Sequence, residues 1–173
     1  MDWLSAFADV VRPLLAPDER ALVAQHTTYF AGHEDYGQPR PDLASTLADH
    51  ALGLPSAWSM ELADKVVTGV SLVGWPGCLA EGLRDALNEV STDLVVTTER
   101  LLAVTGIGEN AARVLWQVPR SRVIKVDRAP RFAQAGRVII VFDDRSALAM
   151  MMGLVSSRGA RRVVAAFGTV TAD

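Results

Sequence analysis

Between Asp93 and Met152 the chain alternates short β-prone runs with turn-forming residues roughly every ten positions, a pattern that restricts it to an antiparallel meander or barrel. The expected strands are Leu94–Thr97, Leu101–Thr105, Arg113–Val118, Arg122–Arg128, Arg137–Phe142 and Ala147–Met152. Thr98–Glu99, the glycine-rich Gly106–Asn110 and Asp143–Ser146 supply turns, and Pro119 stops a ladder because it has no N–H to donate. In the third run Val114, Trp116 and Val118 alternate with Arg113, Leu115 and Gln117, which predicts one buried and one wet face.

The flanks read as helical. Asp2–Leu15 repeats Trp3, Phe7, Val10, Val11, Leu14 and Leu15 at helical spacing, with Pro13 near its end. A strand is expected within Ala21–Phe30, then a loop over Ala31–Pro41 punctuated by Gly32, Gly37, Pro39 and Pro41. Asp42 can cap a short helix to about Leu52, and Ser59 the next. Val66–Leu83 holds Gly69, Gly74, Gly77 and Gly82, which disfavours one long helix. Two shorter helices meeting at Trp75–Pro76–Gly77 are predicted, the second reaching about Asn88. Beyond Ser156 a capped helix carries Val163, Val164 and Phe167 on its apolar side and closes at Gly168.

A chain of 173 residues can bury a core without staples, and its single cysteine, Cys78, excludes an internal disulfide framework. The start shows no secretory pattern, and the uncharged run between Lys65 and Glu81 is too short to span a bilayer, so a cytoplasmic location is expected. Charge is unevenly shared. Residues 1–90 hold five basic against thirteen acidic side chains, and residues 91–173 twelve against seven, balances of −8 and +5. This break near Ser91 implies either two halves that attract one another or a basic face offered to an anionic partner.

Four stretches carry a family resemblance: LLAPDERALVA (14–24), LVVTTERLLAV (94–104), VLWQVPRSRVIKV (114–126) and VIIVFDDRSALAM (138–150). Together they resemble bacterial members of the PH-like superfamily, of the GRAM or short bacterial PH type, mainly over residues 93–168. The second matches their apolar-T-x-x-R-L element, and the last their strand, Asp-rich turn and strand before the final helix. The resemblance implies an α+β chain: a bent antiparallel barrel of about seven strands, plugged by a C-terminal helix. Residues 1–20 then form an N-terminal helical segment, 21–168 the PH-like domain with 31–90 a helical insertion, and 169–173 a tail.

Chemistry is sparse. Gly106, Gly108 and Ala111 after an apolar strand, with Asp127 about twenty residues on, match a dinucleotide fingerprint, in which Glu109–Val118 would be a helix facing a pyrophosphate. Against this, Val114, Trp116 and Val118 alternate as a strand, and little chain follows for a parallel sheet. His26, His33, His50 and Cys78 match no metal-ligand spacing, and no nucleophile elbow, P-loop or zincin helix is present. No catalytic set, metal or cofactor is expected.

Arg113, Arg120, Arg122, Lys125, Arg128 and Arg131 form a basic cluster suited to phosphate or carboxylate, although Lys125 points opposite to Arg122 and Arg128 on a strand. Without interleaved aromatics, single-stranded nucleic acid is not an expected partner. Val70, Leu72, Trp75 and Leu79 are the candidate self-association surface. The expectation is therefore a non-catalytic interaction module that binds protein, either a second copy or an acidic partner. Peripheral binding to anionic lipid headgroups is the next alternative and a small dinucleotide enzyme the third.

Overall fold

In a computed structural model, residues 8–29, 33–37, 70–89, 91–109, 111–130, 134–153 and 155–168 are described. The helices expected after Asp42 and Ser59 lie outside them. The chain is α+β, with two sheets and their flanking helices. Strands β1 (Ala21–His26), β4 (Thr92–Thr97), β5 (Arg100–Thr105) and β6 (Arg113–Pro119) make an antiparallel sheet in that order. The second sheet runs β2 (His33–Tyr36), β3 (Val70–Gly74), β9 (Ala147–Met151), β8 (Arg137–Phe142), β7 (Val123–Arg128). Helix α1 is Leu79–Leu87 and α2 is Arg158–Gly168.

The six strands predicted from Leu94 onward all form, as does the strand beginning at Ala21. The single closed barrel does not: the described strands hydrogen-bond as two separate sheets. The sheets touch through a bridge at which Thr28 and Met151 exchange both N–H···O bonds at 2.9 Å.

Two predictions for the first half need correction. His33–Tyr36, expected within a loop, is a strand parallel to β3. Val70–Gly74, expected at the end of a helix, is β3, antiparallel to β9. A strand in which Ser71, Leu72, Val73 and Gly74 are all buried has neither period, so apolar pattern alone does not separate strand from helix. Only the second predicted helix forms, as α1.

The main core lies between the sheets and includes Leu72, Leu94, Leu101, Ile140, Phe142, Leu148 and Met150. Helix α1 contributes Leu83, Ala86 and Leu87 from one side, packing on β3, β6 and β9. Helix α2 contributes Ala160 and Val163 from the other, packing on β1, β4 and β7.

The outer face of the first sheet is covered as well. Residues 8–11 are helical and run into a 3-10 turn at Arg12–Leu14, and Val11, Leu14 and Leu15 pack with Ile107 over Ala24, Val95, Leu102 and Val104. Every residue of β4 is consequently buried. A bulge in β6 pairs Ala103 with Trp116 but Val104 with Val114. This extra residue, Leu115, rotates Val114 onto the outer face, away from Trp116 and Val118.

Candidate functional site

The Gly106 loop does not lead to a phosphate cradle. Gly106 adopts φ +76°, and its would-be Cβ lies 2.5 Å from the Ala111 carbonyl oxygen, so glycine here serves a tight turn. The loop then enters β6, antiparallel to β5, where the fingerprint requires a helix.

Glu19, Thr97 and Arg100 come together in a buried lock. Glu19, with its side chain 1% exposed, receives the Arg100 guanidinium in a fork, Nη2 to Oε2 at 2.5 Å and Nε to Oε1 at 3.0 Å. The Thr97 hydroxyl donates to Glu19 Oε1 at 2.6 Å and accepts from the Arg100 N–H at 2.7 Å. Arg100 also reaches the Leu14 carbonyl at 3.2 Å. The guanidinium, with help from Thr97 and the Ala16 N–H and against the opposing effect of burial, holds the Glu19 carboxyl down at about 2. The T-x-x-R element and the upstream glutamate therefore tie the N-terminal segment to the β4–β5 turn. All of these partners are internal.

The Asp-rich turn has an equally local purpose. Asp144 Oδ2 accepts the Leu79 N–H at 2.7 Å, and Ser146 Oγ accepts the Ala80 N–H at 3.0 Å while donating to Asp144 at 2.7 Å. The β8–β9 turn thus caps the amino end of α1 with a carboxylate and a hydroxyl.

The predicted basic cluster is not one patch. Arg120 donates to the Ala166 and Phe167 carbonyls, both at 2.7 Å, and to the Thr97 carbonyl at 3.1 Å. Its guanidinium lies 4.5 Å from the Phe167 ring centroid. Arg120 therefore caps the carboxyl end of α2, and burial pushes its pKa down. Arg122 grips both oxygens of Asp143 through Nε at 3.0 Å, and Lys125 pairs with Asp127 at 2.7 Å. Arg113 and Arg128 are exposed, but one starts β6 and the other ends β7, each about 20 Å along its strand from the Arg120 corner. Arg131 lies outside the described residues.

The candidate self-association surface is also largely internal. Leu72 is 1% exposed, and Trp75 and Leu79 pack partly buried against the main core; for Val70 only the backbone is described. Leu72 therefore serves the core and offers no surface.

Cys78 is buried at the start of α1, where its sulfur accepts the Glu81 N–H at 3.4 Å. His26 Nδ1 stands 3.5 Å from buried Asp93, which raises the imidazole pKa. The described residues contain no group of three metal-ligating side chains, and no described helix is long and apolar enough to cross a membrane.

A groove of about 760 Å³ lies between β7 and the carboxyl half of α2. Val123, Ile124, Val164 and Phe167 give it apolar walls, and Thr98, Ser121 and Lys125 a polar border. Ile124 is 47% exposed. β7 is the last strand of its sheet. Sequence reasoning missed this groove because its walls lie some forty residues apart; the one available signal was Ile124 between Val123 and Lys125.

No family model, curated protein or solved structure matches the chain.

Proposed function

We propose that this chain is a PH-like, non-catalytic interaction module whose ligand is an extended segment of another protein, added as a strand to the β7 edge. The antiparallel runs β4–β6 and β7–β9 and then α2 follow one another in the chain, an order that supports the PH-like reading. The observation that carries the ligand class is the edge strand β7 beside a groove with apolar walls. Backbone pairing supplies affinity in such an arrangement, and the neighbouring apolar walls select side chains. Leu72 is replaced as a contact residue, because it belongs to the core. The lipid-headgroup reading loses ground for a similar reason: Arg120 and Arg122 are committed to α2 and Asp143.

Selection of displayed random peptides on the purified protein tests this. Peptides should emerge whose binding vanishes when alternate backbone amides are N-methylated and when Ile124→Glu is introduced. Selection that yields no binder, or binders indifferent to both changes, would remove the reading.

A further inference from the structure

Among the described residues, ion pairs between the two halves do little to neutralise the charge asymmetry of the sequence. Among ion pairs between described residues, Glu19–Arg100 is the one that joins a carboxylate of residues 1–90 to a base of residues 91–173. Among the described residues, like charges gather on two faces. On β2, α1 and the two residues past it, Glu34, Asp35, Glu81, Asp85 and Glu89 stand against the single cation Arg84. Three of these carboxylates converge on that guanidinium, at 3.1 Å for Glu34, 3.5 Å for Glu81 and 2.8 Å for Asp85.

Helix α2 holds Arg158, Arg161 and Arg162 and no carboxylate. Arg128, exposed, ends the strand against which α2 packs. No described carboxylate pairs with Arg128, Arg158 or Arg161. The α2 arginines also occupy the amino-terminal part of a helix, where the backbone dipole disfavours cations. Local helix stability therefore does not account for them, whereas an anionic surface docked there would offset the penalty.

The two faces cannot meet within one molecule. α1 packs chiefly on β3, β5, β6, β8 and β9, and α2 on β1, β4 and β7, two sets with no strand in common, so the helices lie on opposite sides of the core. Two opposite-sided, oppositely charged faces on one chain are complementary between copies.

We infer that copies of this chain associate head to tail, the acidic β2–α1 face of one on the basic α2 face of the next. Such a contact is heterologous, so it closes into a ring or propagates. Because the charges are exposed, it weakens with ionic strength. It does not depend on the β7 groove, and its test uses no peptide.

Sedimentation velocity of the full chain at low and at high salt tests the inference, with circular dichroism to verify folding of each variant. Wild-type protein should form species heavier than the monomer at low salt that revert to monomer at high salt. Arg158→Glu/Arg161→Glu and Asp85→Lys/Glu89→Lys alter exposed positions. Each double variant alone should be monomeric at low salt, and an equimolar mixture of the two should regain a complex. A wild-type monomer at every concentration and salt overturns the inference, as does association that neither variant disturbs. Sedimentation of monomeric wild-type protein with phosphatidylserine vesicles would overturn it too, and would assign the α2 face to lipid.

Discussion

The two helices flank the same core from opposite sides, yet each is anchored at a different pole. α1 is fixed at its amino end, where Asp144 and Ser146 accept its first free N–H groups. α2 is fixed at its carboxyl end, where Arg120 satisfies two terminal carbonyls and covers Phe167. In both cases the anchoring charge opposes the charge of the helix end, a carboxylate at the positive pole and a guanidinium at the negative one. The anchors come from turns that join strands consecutive in the chain, β8–β9 for α1 and β6–β7 for α2. Sheet formation therefore aims the groups that seat the helices.

A buried ion pair that shares Thr97 with the Arg120 anchor sets the upper limit for these anchors. Arg100→Ala leaves the Glu19 carboxylate buried without its cation, and a loss of about 3 kcal/mol is expected in chemical denaturation at neutral pH. Because the folded pKa of Glu19 lies below its unfolded value, the pair's contribution is complete above about 4.5 and fades as pH falls toward about 2. The difference between wild type and Glu19→Gln should therefore shrink across that window. A difference constant with pH would show that packing, not charge, holds the lock.

The helix anchors should rank next. Arg120→Ala removes charge-assisted hydrogen bonds together with a cation–π contact, about 2 kcal/mol, and should raise hydrogen exchange at the end of α2. Asp144→Ala removes a neighbouring turn's cap from α1 while Ser146 remains, about 1 kcal/mol, with exchange rising at Leu79. If either change loosened both helices equally, the anchors would not be independent.

The smallest effects should differ in sign. A Cβ at Gly82 would come within 2.8 Å of the Trp116 indole nitrogen, and that ring is held edge-on to Phe142 at 5.9 Å. A Cβ at Gly159 meets only the Gln25 side-chain amide, the far end of a flexible chain. In thermal melts Gly82→Ala should cost about 1 kcal/mol, and Gly159→Ala should be neutral or slightly stabilising through helix propensity.

Where strand and turn signals coincided, the sequence was readable. The six strands after Leu94 combine β-branched runs with bounding Gly, Pro and Asp residues, so their order follows from local pattern. Local pattern fails where the other partner is remote. Glu19 meets Thr97 and Arg100 across 78 and 81 residues, and nothing nearby marks it as buried. Arg120 looks like one of six surface bases until α2 arrives 46 residues later. The Val114 face was misassigned because a single bulge inverts alternation without altering composition. For β3, burial on both faces erased the period that separates strand from helix. The groove was hidden for the same reason as the locks, since it exists only after β7 and α2 are brought together.

The pairing of β1 with β4 has a further consequence, for assembly. Ala21 lies opposite Thr97, whereas β4 to β6 and β7 to β9 pair with strands adjacent in the chain. Closing the long intervening loop costs entropy that local hairpins do not meet, so such contacts form slowly. β1 is thus synthesised before its partner yet expected to dock late, as is β3 on β9, and until β1 docks one long edge of β4 stands open to other chains.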